Sequence, residues 1–227
     1  MHIEPGVVDG AKIVLSYATG AAAVGIAGKL ALDAIRDNGG GISALALRSA
    51  ATTALVFCFF ELLPHYPVGV SEVHFILGST LLLLFGAGPA AIGLALGLLL
   101  QGLLFAPFDL PQYGINVTTL LVPLLGIHML AKRIIAPHTP YVDLKYRQAL
   151  ALSTAYQGGV VAWVAFWAIY GQGFAADNLA AVSAFGAAYM LVVIVEPLAD
   201  LGVLAAAKAA RGLASSPLFH ARLLNAA

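Results

Sequence analysis

Charge is what this sequence has least of. Only 10% of its 227 residues are Asp, Glu, Lys or Arg, against about a quarter in an ordinary soluble domain. So little charge cannot cover a water-facing surface. The eleven cations and eleven acids cancel, which leaves no basic face for nucleic acid. Cysteine is nearly absent as well. Cys58 stands alone in an apolar run, and one thiol makes neither an intramolecular disulfide nor a cysteine zinc cluster. It reads as a small buried hydrophobe. No Gly-x-x-x-x-Gly-Lys-Ser/Thr loop, His-Glu-x-x-His helix or Gly-x-Ser-x-Gly elbow occurs, so the chain lacks the usual phosphate cradle, zinc-protease helix and nucleophile turn. A cationic lead-in is missing too. Glu4 and Asp9 precede the first apolar run and Lys12 is the only early cation, which is unlike a cleavable signal peptide. Met1 is expected to be retained, because removing it requires a small second residue and His2 is bulky.

What fills the chain instead is apolar sequence, 61% of all residues. Runs near the roughly 20 residues needed to cross a bilayer recur along it, which predicts an all-α polytopic membrane protein. Seven segments can be drawn: 11–35, 42–63, 73–85, 90–106, 117–135, 149–170 and 179–207. The third is short for a full span and is expected to be tilted or partly re-entrant. Gly86-Ala87-Gly88-Pro89 separates it from the fourth. Lys and Arg in short loops stay cytoplasmic. Seven spans with an external N-terminus place Lys29, Arg36, Arg48, Lys132, Arg133, Lys145, Arg147, Lys208, Arg211 and Arg222 inside and leave only Lys12 outside. The expected layout is therefore one transmembrane domain over 1–227, with an external segment at 1–10 and a cytoplasmic tail at 208–227.

Within that layout the first six residues, Met1-His2-Ile3-Glu4-Pro5-Gly6, carry the densest ligand chemistry. A histidine in second position brings the terminal amine, its own amide and its imidazole within small chelate rings of one metal ion. All-nitrogen donors in a planar set suit Cu(II) or Ni(II). The amine has a reference pKa of roughly 7.7–8.0, so it gives up its proton readily near neutral pH. The other reading of His2 is an ordinary residue on a frayed terminus. His65 and His74 bracket the external loop after the second segment, and either would supply a fourth nitrogen. His65 also reads as a plain interfacial loop residue. His74 heads an apolar run, Val73-His74-Phe75, where an unpaired polar group is costly. It is either a ligand or a hydrogen-bonded structural histidine. Glu196 lies deep in apolar sequence and is a functional acid or a partner for helix packing. Gln101, Asn116 and Gln157 read as bonds between helices, and Glu61 and Glu72 as flanks of the external loop.

The hexapeptide opening resembles the N-terminus of the substrate-binding membrane subunits of cobalt and nickel energy-coupling-factor transporters, the CbiM/NikM type. The resemblance continues in order through His74 and Gly78, then Phe85-Gly86-x-Gly88-Pro89. Gln101-x-Leu103-Leu104, Gly114-Ile115-Asn116 and Ile194-Val195-Glu196 extend it. It departs where the family usually writes Ser-His-Pro-Thr-Gly, since this chain has Val73-His74-Phe75-Ile76-Leu77-Gly78. It departs again at Phe108-Asp109-Leu110-Pro111, where the family carries a Gly-Gly stretch. The resemblance implies capture of Co(II) or Ni(II) as transported substrate, with no organic cofactor. The ligands would be the Met1 amine, the His2 amide and imidazole, and His74, with His65 as the alternative. Glu72 or Asn116 would serve as a supporting partner of the ligands. It also implies separate ATPase subunits, a coupling membrane subunit and a small accessory membrane subunit, in a bacterial cytoplasmic membrane. The chain itself would not be an enzyme. The rival readings are a vitamin-binding component of the same transporter class and an intramembrane enzyme using Glu196.

Overall fold

A computed structural model describes residues 2–37, 41–209 and 216–224. Met1 and Arg211, both named above, lie outside the described residues. Among the described residues, eight α-helices and one small hairpin, joined by short 3-10 turns, make up the regular structure: α1 Val14–Asp37, α2 Gly41–Glu61, β1 Tyr66–Val68, β2 Ser71–Val73, α3 Gly78–Phe85, α4 Ala87–Leu104, α5 Tyr113–Ile134, α6 Tyr146–Gln172, α7 Ala176–Met190 and α8 Val192–Ala209. Among the described residues, six stretches are long and apolar enough to cross a membrane: Gly10–Arg36, Gly41–Glu61, Ala87–Leu104, Pro107–Ile134, Tyr146–Gln172 and Ala176–Ala209. The last joins α7 and α8 across a break at Leu191. At 1.5 Å per residue, the 18 residues of α4 already reach about 27 Å. The chain is a helical, multi-pass membrane protein.

The third expected span is the exception. Residues 74–77 are not helical, and the eight-residue α3 that follows is about 12 Å long. Every residue of α3 is buried. Extended segment and short helix together still join the two ends of the bundle. Non-helical backbone is tolerated at membrane depth only where protein surrounds it. Here α4, α5, α6 and α8 all pack against α3. The Ile76 carbonyl, which a continuous helix would have paired, accepts from the Gly78 N–H at 2.7 Å and from the amide of Gln157 at 3.3 Å. Gly86, at φ +90°, ends α3 and reverses the chain into α4.

Close helix packing comes from small residues. A Cβ on Gly20 of α1 would stand 3.3 Å from the Gly114 Cα of α5, and one on Gly93 of α4 would strike Thr52 of α2. Gly25 and Gly28 of α1 meet nothing within 4 Å. At the end of the bundle away from the N-terminus, Arg48 donates to the Pro217 carbonyl at 2.8 Å. Arg222 donates to Ala136 at 2.6 Å and Thr139 at 3.1 Å. These contacts fix residues 216–224 against the helices.

The N-terminal segment is folded in. Ile3 bridges Ser71 of β2, Glu4 N–H donates to Val70 at 3.0 Å, and Glu72 N–H donates to the His2 carbonyl at 3.0 Å. Ile3, Val7 and Val8 are buried. The two-residue turn of the hairpin starts with Gly69 at φ +62°, where any Cβ would strike the Ala181 carbonyl of α7. The N-terminal residues thus add a third extended segment beside β2 and seal one end of the bundle.

Candidate metal site

That seal brings together residues from four parts of the chain. His2, 4% exposed, arrives on the N-terminal segment and His74, 1% exposed, on the extended segment after β2. Glu72 comes from β2 and Asp109 from the turn before α5. His2 Nδ1 lies 2.9 Å from Glu72 Oε2, and His74 Nε2 lies 3.6 Å from the same oxygen. The two imidazoles meet edge to face with centroids 5.3 Å apart. Phe60 closes the floor, 5.5 Å from the His2 ring and 5.0 Å from the His74 ring. One ligand atom each from His2, Glu72 and His74 lies within 4.8 Å of the others, which is close enough for all three to hold one ion.

Burial sets the protonation. It pushes the His2 imidazole down to about 4, and it pushes His74 well below the ordinary histidine value. Both rings therefore stay neutral near pH 7, the form that binds metal. Burial would raise the Glu72 carboxyl, but the hydrogen bond from His2 and nearby positive charge outweigh it and hold the group below its usual value. The site is consequently two neutral imidazoles around a carboxylate, an arrangement that attracts a cation.

His65 stacks flat on His74, with centroids 4.9 Å apart and planes 5° from parallel. It is exposed, and Nδ1 is 3.3 Å from the Leu63 carbonyl. The ring covers His74 without entering the His2–Glu72–His74 group. Asn116 turns its side-chain oxygen to the Ile3 N–H at 2.9 Å, so it holds the backbone next to His2 and not an imidazole. Glu196 lies elsewhere, among α3, α6 and α8, and is not part of this cluster.

Three residues of these polar groups escaped the sequence reading. Asp109 was only part of a loop; its Oδ2 lies 3.9 Å from His2 Nδ1. Gln101 read as a bond between helices, yet it faces the His2 ring. Its side-chain oxygen and His2 Nε2 are both buried without a hydrogen-bond partner among the described residues. Asp200 sits one turn after Glu196 on α8 and was detectable from the i, i+4 spacing of two acids in an apolar helix. Ser79 Oγ lies 3.1 Å from Glu196 and 2.7 Å from Asp200, Thr80 donates to Asp200, and Ser153 donates to Glu196 at 2.8 Å.

Helices long and apolar enough to span a bilayer, closed at one end by a nitrogen- and carboxylate-lined pocket, define a membrane protein with a candidate cation site. Residues 2–213 match the sequence model of a family described as the cobalt uptake substrate-specific transmembrane region. The chain belongs to that family, a transport family, and is a membrane component of cobalt uptake. Searches among curated proteins and among solved structures found no match.

Proposed function

We propose that the chain is the substrate-binding component of an energy-coupling-factor transporter that captures Co(II), or Ni(II), from outside a bacterial cytoplasmic membrane. The observation that carries this reading is the convergence of His2 Nδ1 and His74 Nε2 on one oxygen atom. Nδ1 is the ring nitrogen that closes a six-membered chelate with the His2 amide, so the metal would enter where these atoms meet. The Met1 amine and His2 amide complete the donor set, with His74 in preference to His65. The chain contains no phosphate-binding loop. ATP hydrolysis accordingly falls to separate ATPase subunits, reached through a coupling membrane subunit, with a small accessory membrane subunit beside them. The unpacked Gly25 and Gly28 on α1 offer a small-residue face for the coupling subunit.

Counting metal tests the proposal. Chain purified in detergent after exposure to Co(II) should retain one equivalent through gel filtration, and a His2→Ala variant should retain none. Equal retention by the two would remove this pocket from the reading, and retention by neither would remove metal capture itself.

A further inference from the structure

We propose that the seam between α1 and α5 binds one anionic phospholipid, with its phosphate held at the end of the bundle opposite the metal pocket and an acyl chain lying along the seam. The inference does not depend on metal capture.

Two cavities follow one another along these helices. The first, of about 190 Å³, is apolar, lined by Ala22 and Ile26 of α1, Leu121, Val122 and Leu125 of α5, and Trp163 of α6. The second, of about 230 Å³, is polar and takes Leu30 and Asp33 from α1 and His128 and Lys132 from α5. These positions recur every three or four residues, so each helix presents one face to both cavities. From Ile26 to Leu30 the helix rises about 6 Å, which is roughly one turn. The two helices are closest at Gly20 and Gly114, and the apolar cavity opens beyond that contact. Ile26 is 41% exposed and Val122 38% exposed, so this groove opens outward to the hydrocarbon and not into the core. Gly25 and Gly28 fall on the opposite face of α1 by the same helical spacing and stay free.

The polar cavity suits an anion. Lys132 and Arg222 both line it. Among the described residues Lys132 makes no ion pair. Arg222 has five N–H groups, and the Ala136 and Thr139 carbonyls take two of them. Asp33 is the one acid in the lining, and Lys29 holds it at 2.7 Å. His220 adds a donor. Burial and the nearby Arg48 and Arg222 push its ring down to about 4, so it is neutral near pH 7. Its Nδ1 accepts from the Arg222 N–H at 3.2 Å, which leaves the proton on Nε2. A metal finds no such welcome, because among the described residues the only three ligand groups that converge are His2, Glu72 and His74. Basic pockets between membrane helices seat anionic headgroups. A headgroup with its chain fills both the polar cavity and the apolar groove that continues it, whereas a free phosphate leaves the groove empty.

Full-length chain reconstituted in phosphatidylcholine bilayers tests the proposal. Trp163 lines the groove, so its fluorescence reports a brominated acyl chain beside it. A small fraction of brominated phosphatidylglycerol should quench it more than the same fraction of brominated phosphatidylcholine. Trp163→Phe should remove the difference, because the other tryptophan, Trp167, is fully buried. Lys132→Gln should lower the preference for phosphatidylglycerol by about fivefold, the factor one cation contributes beside an anionic headgroup. Ala22→Phe fills the groove, leaves the cations in place and should abolish the excess quenching. Equal quenching by the two lipids would overturn the proposal, and so would an excess that either Lys132→Gln or Ala22→Phe leaves unchanged. Inorganic phosphate titrated into the chain in detergent separates the two sources of a phosphate. Phosphate binding together with equal quenching would make the cavity a site for the free anion and end the lipid assignment.

Discussion

At the scale of single residues, the proposed chelate makes the position of the first nitrogen of the chain decisive. The proposed chelate uses the terminal amine, the His2 amide and Nδ1, and one extra residue before Met1 moves the amine out of its ring while leaving His2 intact. Such an extended chain should lose tight Co(II) binding, as read by titration against the unextended chain; equal affinities would exclude the amine as a ligand. His74 and His65 separate in the same assay. His74 is 1% exposed and fixed, whereas His65 is exposed and only stacks upon it. A fixed ligand loses less conformational freedom on binding. His74→Ala should therefore abolish binding and His65→Ala should change it little, and the reverse result would make the loop histidine the ligand. Gln101→Ala should cost about 10–100-fold in affinity if its oxygen takes the Nε2 proton of metal-bound His2. The two histidines were legible in the sequence because position two and the head of an apolar run are each unusual places for an imidazole. Glu72 was legible only as a supporting partner through the family resemblance, and Asp109 and Gln101 were not legible as pocket residues. Their meeting depends on a β-bridge between residue 3 and residue 71 and on a turn more than thirty residues further on, and neither leaves a periodic signal.

At the scale of elements, the short α3 and the extended residues before it hold His74 in place, and α8 holds α3. Glu196 and Asp200 receive the hydroxyls at the start of α3, where acids are also favoured by the helix dipole. Ser79 has one proton but two acids within hydrogen-bond distance. The geometry is satisfied when one acid carries a proton and donates it to Ser79. Glu196→Gln should therefore be tolerated. Glu196→Ala leaves Ser153 without its acceptor and Gln157 with only the Ile76 carbonyl, at about 1–3 kcal/mol for each buried donor left unpaired. Thermal unfolding in detergent checks this, and equal losses in the two variants would contradict a shared proton. The infrared carbonyl stretch of a neutral carboxylic acid should be present in the wild type and altered in Glu196→Gln. The sequence showed that the third span was too short, because thirteen residues of helix cannot cross a bilayer. It did not show the extended stretch, since residues 75–77 are as apolar as a helix and one of the two hydrogen bonds to the Ile76 carbonyl comes from Gln157, about eighty positions away.

At the scale of the whole molecule, the structure separates two ends with different work. One end carries residue 2, the hairpin and the turn before α5, all closed over the candidate pocket. The other carries Arg48 and Arg222, whose bonds pin residues 216–224. Which end faces out follows from cations. Lys132, Arg133, Lys145, Arg147 and Lys208 all belong to the end away from the pocket, and among the described residues Lys12 is the one cation of the pocket end, where it donates to the Gly171 carbonyl at 2.7 Å. Loops rich in Lys and Arg resist transfer across the membrane, so the pocket end should face outside. The single Cys58 makes the test clean, because replacing it by alanine gives a cysteine-free background. In that background Asp9→Cys and Arg147→Cys each place one thiol at an exposed position, at opposite ends of the bundle. A membrane-impermeant thiol reagent applied to intact cells should label Asp9→Cys at once and Arg147→Cys only after the membrane is opened. The opposite order would put the pocket on the cytoplasmic side, where it would serve as an acceptor of metal and not as the point of capture. The metal titrations would be unaffected by that result, since affinity in detergent does not depend on orientation. Labelling and titration therefore report on different links of the argument, one on the direction of transport and the other on the chemistry of the site.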